Sequence, residues 1–465
     1  MRSAEKILIK SARIYDPSQE WKGEIRDLYL AGDRVSEPFS DPGLTIEAEG
    51  RPLLAGGIDP CCQLAIPGQF HLRMSGVLPA LEEIGRIYAN MGYVHVHQPL
   101  MTLLSSGFVH HWLARIPYVD KSCGVAMDLR DMGHLVRANN AAEFCRMARA
   151  LMEASGAMGL FLPFPFLRHR QRHYMQKNLS AKRVLSFLAQ LEDPEIFPIS
   201  LWGMPGLLEN EIPRPERFHI ANLAMALDCR ESLEKARGFL ESGGSADLGV
   251  STGRDQLLVV SPDGSGIAPL SIDLGLQSPV AFLVARKSLD EEPVKAGWSL
   301  LSEHPSSWRL SLSASGPSGG QFGGMPQIVT WLLNPASRPT EIEGSLDGKM
   351  IGLYDLARLT RLAPARFLGL ADLGHLNPGA RASAVIYDLR PGMEAREAAC
   401  ALADCWCLVK DGVVVREEGR SSGCVAPARI YGRHVAEDGA EFSQTDLFQN
   451  ATLRFEHLGV LDRRE

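Results

Sequence analysis

The sequence predicts an α/β protein: a (β/α)8 TIM-like barrel plus a composite β-sandwich domain built from both termini. Short β-rich segments occur near both ends of the chain, and amphipathic helices alternate with short buried strands in the long region between them. This alternation favours a parallel sheet, and roughly 300 residues is a usual size for one closed barrel. A doubly wound open sheet is the alternative, but no Gly-x-Gly-x-x-Gly follows a first strand.

The strand and turn patterns near the two ends of the chain are alike. Runs of β-forming apolar residues are interrupted by a Gly-Asp turn at residues 32–33 and by an Asp-Gly turn at residues 411–412. Such turns between apolar strands are typical of β-hairpins. The pattern itself fits two separate β domains or one composite domain.

Helices and buried strands alternate in the middle of the chain. Leu81, Ile84 and Tyr88 are spaced as one face of a helix, and the apolar run at residues 93–96 predicts the strand that follows. The same order recurs twice before residue 202. The predicted domains are residues 1–55 (first part of the β-sandwich), 56–373 (barrel), 374–435 (second part of the β-sandwich) and 436–465 (a polar, acidic tail).

Composition excludes several classes of protein. The 465 residues are 45% hydrophobic and carry a formal net charge of -7, so no basic field points to nucleic acid. No apolar run reaches the ~18 residues that a membrane span needs. The nine cysteines are odd in number, and the first residues lack the pattern of a secretory signal. We therefore expect reduced thiols, a cytoplasmic location, and neither membrane nor nucleic-acid partners.

Ordered motifs at both ends of the predicted barrel resemble a known superfamily. Residues 53–63, Leu-Leu-Ala-Gly-Gly-Ile-Asp-Pro-Cys-Cys-Gln, resemble the entry into the first barrel strand of the amidohydrolase superfamily. Residues 374–388 resemble its return into the β-sandwich, which is why we expect one composite domain. Residues 89–93, 308–322 and 354–356 are similar to the A-type subunit of formylmethanofuran dehydrogenase and to its relative in the bacterial formyltransferase/hydrolase complex.

The resemblance implies a zinc site whose ligands this sequence does not keep. Active members of the family are zinc hydrolases that release formate from an N-formylated amine carrier. Their ligands are a His-x-His pair, a carboxylated lysine, two later histidines and a final aspartate that also acts as general base. The aligned positions in this chain are Cys61 and Gln63, then Phe161, Trp202 and Asn222, and last Ser315. Gln and Ser are poor zinc ligands, so we expect a degenerate pocket with no catalytic and no metal-binding residue.

We therefore expect a component of such a complex that resembles the A-type subunit, in tetrahydromethanopterin-linked one-carbon metabolism. It would have a structural or carrier-binding role, without its own zinc-dependent hydrolase activity. The resemblance implies a methanofuran-type formyl carrier and the other subunits of the complex as partners. One alternative is an active zinc-dependent N-formyl hydrolase, acting on a non-peptide C–N bond, that releases formate from formylmethanofuran. Another is an amidohydrolase-like protein recruited to an unrelated role.

Three further clusters have both a functional and a structural interpretation. His95, His97, His110 and His111 could form a new site near the catalytic face, but histidines bonded to backbone or on the surface are the preferred interpretation. The basic stretch at residues 168–177 could attract an acidic partner or substrate tail, although a solvated loop is preferred. The Cys-Trp-Cys motif at residues 405–407 lacks the two-residue spacing of redox or zinc motifs and is interpreted as packing.

Overall fold

The structure is a computed structural model. It describes residues 5–66, 69–74, 76, 78–127, 129–163, 179–227, 229–249, 256–260, 282–286, 291–303, 307–313, 316, 322–338 and 351–432. The predicted tail, the basic stretch at residues 168–177 and Ser315 lie outside these residues.

Strands and helices follow one another in the order that the sequence predicts. The strands are β1 (Lys6–Asp16), β2 (Trp21–Ala31), β3 (Arg34–Val35), β4 (Leu44–Glu47), β5 (Pro52–Ala55), β6 (Gly57–Asp59), β7 (Tyr93–Met101), β8 (Asp120–Ala126), β9 (Gly159–Leu162), β10 (Ile199–Trp202), β11 (Phe218–Ala221), β12 (Ser245–Asp247), β13 (Gln256–Val260), β14 (Phe282–Arg286), β15 (Leu310–Ser311), β16 (Ala384–Ile386), β17 (Cys407–Lys410), β18 (Val413–Glu417), β19 (Arg420–Ser421) and β20 (Ile430–Tyr431). The α-helices are α1 (Phe70–Met74), α2 (Leu81–Asn90), α3 (Ser106–Ala114), α4 (Leu129–Ala138), α5 (Ala141–Ser155), α6 (Ala181–Gln190), α7 (Arg230–Glu241), α8 (Glu291–Glu303), α9 (Met325–Leu333), α10 (Leu353–Ala357), α11 (Ala363–Phe367) and α12 (Ala395–Ala403), with a π-helical turn at Arg358–Leu362.

The middle of the chain forms a curled sheet of parallel strands. Across the described residues its order is β15-β12-β11-β10-β9-β8-β7-β6, with the short β20 added on β8. The two ends of this order meet where the backbone N–H of Gln63, just after β6, donates to the carbonyl of Gly316 at 2.7 Å. Helices α2 to α7 lie between successive strands, as in a (β/α)8 barrel. The predicted barrel fold is confirmed.

Strands from the two ends of the chain form one second sheet. Its order is β19-β18-β17-β16-β5-β1-β2-β3, with β4 on β1. The ends meet where β5 pairs antiparallel with β16, in the register that places Leu54 opposite Val385. The two predicted hairpin turns also touch, since a Cβ on Gly412 would lie 1.9 Å from the carbonyl oxygen of Gly32. The composite β domain is thereby confirmed, while the exact domain boundaries stay predictions.

A buried ion network joins this sheet to the amino-terminal end of the barrel. Lys410, the last residue of β17, is 1% exposed in its side chain and donates to Asp120 Oδ1, at the start of β8, over 2.9 Å. Asp411 lies 3.4 Å from the same ammonium and also binds Arg381 and Arg429. Burial alone would raise the pKa of Asp411, but these three cations lower it below its usual range.

Within the described residues, no helix combines the length and the apolar composition that a bilayer span requires.

Replacing Lys410 by methionine should destabilise the protein strongly. The change leaves Asp120 and Asp411 buried beside one another without the ammonium, and breaking a buried ion pair from one side costs about 3–5 kcal/mol. Urea unfolding should show a loss of that size. The control is Lys10→Met, whose partner Glu47 lies on the surface, and which should change stability by less than about 1 kcal/mol. Equal losses in the two variants would contradict the role given to Lys410.

Candidate functional site

An apolar cluster fills the carboxyl-terminal mouth of the barrel. Cys61 follows β6, Phe161 lies in β9, and Trp202 ends β10, and these three side chains pack together. The rings of Phe161 and Trp202 meet nearly edge to face, with centroids 5.9 Å apart. The cluster is completed by side chains from β7, β8 and β11, namely Leu100, Ala126 and Ala221.

The other aligned positions lie around this cluster. Asn222 directly follows β11, has a φ of +58°, and its backbone N–H donates to Asp247 Oδ2 at 3.1 Å. Gln63 is buried, and its carbonyl accepts a hydrogen bond from the Gln69 side chain. Ser315 lies outside the described residues, although its neighbour Gly316 accepts the Gln63 N–H. The aligned positions that the structure describes therefore all lie at the carboxyl ends of strands.

The donor set at the mouth does not fit a hydrolytic zinc ion. Such a site needs three or more imidazole, thiolate or carboxylate ligands and one open position. The cluster offers one thiol, at Cys61, surrounded by alkyl and aromatic groups. Among the described residues no group of three His, Cys, Asp or Glu side chains is placed to hold a metal ion. No step of a reaction is assigned to a metal at this site.

A buried acid lies beneath the cluster. The Tyr88 hydroxyl lies 2.7 Å from Asp59 Oδ2 and 3.1 Å from Cys62 Sγ, and the Cys61 backbone N–H donates to Asp59 Oδ1 at 3.2 Å. Burial raises the pKa of Asp59 to about 7, although the hydrogen bonds from the Tyr88 hydroxyl and the Cys61 N–H act to lower it. Burial also raises the pKa values of Tyr88 and Cys62 well above their usual ranges. These three side chains are buried and weakly acidic, which suits packing rather than nucleophilic attack.

The four histidines singled out in the sequence do not form one site. Ser122 Oγ lies 2.8 Å from Nε2 of His95 and 2.8 Å from Nδ1 of His97, deep inside the barrel. Burial lowers the pKa of His95 and brings that of His97 to about 3, so both rings are neutral near pH 7. His110, on α3, instead contacts the carbonyl of Ser155 at 2.7 Å. These contacts agree with the preferred structural interpretation.

Two polar features of the barrel were not predicted from the sequence. His219, in β11, lies 3.4 Å from Asp247, and its ring stacks on Phe367 with centroids 3.4 Å apart. Burial lowers the pKa of His219, although Asp247 opposes the shift. The sequence signal for this pair was a polar residue in each of two short strands, His219 in β11 and Asp247 in β12. That signal does not show that the two side chains are in contact.

Arg73 is the second missed feature, and it lies beside the mouth. Its guanidinium donates to the carbonyl of Leu64 and to Gln69 Oε1, and its central carbon lies 5.7 and 5.9 Å from the ring centroids of Trp112 and Phe322. Burial lowers its pKa to about 10, so it remains charged near pH 7. No carboxylate of the described residues lies within salt-bridge distance of it. Among the described residues, the mouth therefore combines the apolar cluster with the Arg73 cation at its edge.

Changing Asp59 to asparagine should remove a pH dependence of stability. Its pKa of about 7 in the folded protein exceeds its ordinary value of 3.8, so the folded state holds the proton more tightly than the unfolded chain. Relative to Asp59→Asn, the wild type should lose roughly 4 kcal/mol as the pH rises from about 4 to about 7, and no more above that. Urea unfolding across this range measures the difference. Asp41→Asn, at an exposed carboxylate, should follow the wild type.

Comparison with known proteins agrees with this architecture. A family model described as the amidohydrolase family matches residues 310–416. The chain is 25% identical to the A-type subunit of the formyltransferase/hydrolase complex Fhc of Methylorubrum extorquens, over 88% of this chain and 89% of the relative. It is 22% identical to protein FwdA of Methanocaldococcus jannaschii, again over 88% and 89% of the two chains.

A solved structure gives the same result for the fold. The chain superposes on a chain of the formyltransferase/hydrolase complex FhcABCD from Methylorubrum extorquens, solved in complex with methylofuran, with a TM-score of 0.78. The match covers 93% of this chain and 92% of that one at 20% identity, so it bears on the fold. The protein therefore matches the amidohydrolase family model over residues 310–416, has the fold of that FhcABCD chain, and is homologous to the A-type subunit of the formyltransferase/hydrolase complex and to FwdA.

Proposed function

We propose that this chain is the counterpart of the A-type subunit in a formyltransferase/hydrolase-type complex, and that it has no zinc-dependent hydrolase activity of its own. Its role there is structural or carrier-binding, with a methanofuran-type formyl carrier as the ligand of the complex and tetrahydromethanopterin-linked one-carbon transfer as the pathway. The proposal extends to a cytoplasmic location, in keeping with nine cysteines and no disulfide among the described residues. It also includes the domain boundaries at residues 55, 373 and 435.

The apolar cluster at the mouth is the observation that carries the proposal. Hydrolysis of an N-formyl group needs an activated water, a polarised carbonyl and a general base. Cys61, Phe161 and Trp202 occupy the strand ends from which such groups would act, and each is at most 7% exposed. Their packing excludes water from that space and supplies no base. A formyl carrier that reaches this face would therefore meet a surface that leaves its C–N bond intact.

Homology supports the assignment to a complex. The two relatives align over nearly nine-tenths of this chain, so the whole architecture is shared with proteins named as a complex component or as FwdA. The aligned ligand positions lie at the mouth, while the described strands form the barrel and the composite sheet. A surface used for assembly does not require metal ligands, so such a protein can keep its place in a complex after losing its chemistry. Arg73, at the edge of the mouth, gives the chain a fixed positive charge for an anionic part of a carrier.

The purified chain should neither hold zinc in stoichiometric amount nor release formate from an N-formyl amine. Elemental analysis and a formate-release assay with added zinc measure both on one sample. Restoring histidines with Cys61→His and Gln63→His should not produce turnover, because Phe161 and Trp202 still stand where later ligands would be required. The control for folding is near-ultraviolet circular dichroism of each variant.

Turnover that a chelator abolishes would overturn the proposal and establish the zinc hydrolase instead. Chelator-insensitive turnover would also overturn it and would direct attention to other residues of the barrel.

Membership of a complex has its own test. Affinity purification of the tagged chain from its native cells should recover a formyltransferase subunit in fixed ratio. If the chain is recovered without other subunits at native expression, the proposal is wrong. The alternative of an amidohydrolase-like protein with an unrelated role is then favoured.

A further inference from the structure

A cavity of about 520 Å³ lies at the amino-terminal end of the barrel, opposite the apolar mouth. Its walls include Gly159, the first residue of β9, and Phe197 and Pro198, which directly precede β10. The segment 366–372, at the end of α11 and beyond it, forms another wall. We propose that this cavity binds a small carboxylate that carries an apolar or aromatic ring. The proposal is independent of the function assigned to the mouth.

Two buried polar side chains line the cavity. His97 is 4% exposed and Ser200 is 7% exposed. Nδ1 of His97 is bound to Ser122, which leaves Nε2 as its remaining polar atom. Among the described residues, neither this Nε2 nor the Ser200 hydroxyl has a hydrogen-bond partner. Neither atom is completely buried. Both atoms therefore keep access to the cavity, where a ligand can reach them.

The hydrogen-bond network assigns the proton of His97. Nδ1 of His95 is buried and has no hydrogen-bond partner. An unprotonated Nδ1 is therefore favoured, because a proton there would be a buried N–H without an acceptor. With its proton on Nε2, His95 donates to Ser122 Oγ. The Ser122 hydroxyl then donates to Nδ1 of His97, and Nε2 of His97 carries a proton directed at the ligand. The ring is neutral near pH 7 because burial lowers its pKa to about 3.

The available charge at the cavity is positive. Arg366 is exposed at the rim, with its guanidinium carbon 5.2 Å from the ring centroid of Trp308, and no carboxylate of the described residues pairs with it. Asp372 also lines the cavity, and its negative charge is balanced by Arg34 at 3.0 Å and by Arg381 at 3.1 Å, both of which bind its Oδ2. The imidazole N–H, the Ser200 hydroxyl and the Arg366 guanidinium can all donate to a ligand. With Arg366 as the unpaired charge, the complementary ligand is an anion rich in acceptors.

The apolar part of the wall determines which chemical group the ligand carries besides its carboxylate. Met158, Leu160, Phe197 and Phe367 form a large part of the wall. A cavity of this volume is within the range of small-molecule sites, where a few polar groups orient a mainly apolar ligand. A ring packed on Phe197 and Phe367, with its carboxylate toward Arg366, matches the apolar wall and the positive charge at the rim.

Benzoate is the simplest probe, and benzamide is its neutral counterpart. Calorimetric titration of the full chain should detect benzoate and show binding of benzamide weaker by at least about tenfold. Arg366→Gln should weaken benzoate by a similar factor while leaving benzamide unchanged. Arg396→Gln, which removes an exposed guanidinium from α12, is the matched control and should change neither. Ser200→Leu, which fills part of the cavity, should abolish binding of both.

Failure of benzoate to bind the wild type would overturn the proposal. Equal affinities in Arg366→Gln and Arg396→Gln would overturn it as well, as would undiminished binding in a folded Ser200→Leu variant. If Ser200→Leu does not fold, the comparison between the two arginine variants decides the matter, because both positions are on the surface.

Discussion

The pairing of β5 with β16 is the constraint on which the rest of the structure depends. Strand β5 runs almost directly into β6, the first strand of the barrel, so fixing one fixes the start of the other. The Gly56 N–H between them donates to the carbonyl of Ser383 at 2.9 Å. A Cβ on Gly56 would lie 2.5 Å from the Val94 side chain, so only glycine allows β5 and β7 to come this close. The two chain ends thus hold the barrel from one side.

The same junction is reinforced by buried charges. Arg361, in the π-helical turn, donates to the carbonyl of Ala55 and to the Tyr387 hydroxyl, which in turn donates to the carbonyl of Met91. The Lys410 network makes a second polar connection at the start of β8. Groups of this kind stabilise little in total, but they fix the relative position of two sheets because a displaced partner leaves a buried charge unpaired.

The two ends of the barrel differ in the side chains that the structure describes there. In a TIM barrel the carboxyl-terminal end normally carries the reactive polar groups, and the amino-terminal end contributes mainly to stability. Here apolar side chains close the carboxyl-terminal mouth, while imidazole, hydroxyl and guanidinium groups line an open cavity at the other end. The apolar packing of Phe161 and Trp202 at the carboxyl-terminal end adds to the stability of the fold.

The fold class, the homology and the strand ends that carry the aligned positions could be predicted from the sequence. These follow from local periodicity, from turn residues such as Gly412, and from the order of the motifs along the chain. The folded chain was needed to show that Cys61, Phe161 and Trp202 share one cluster. It also showed that His95 and His97 share Ser122, while His110 lies elsewhere. Those contacts join residues far apart in the chain, and their partners are set by barrel curvature and register, which no local pattern encodes.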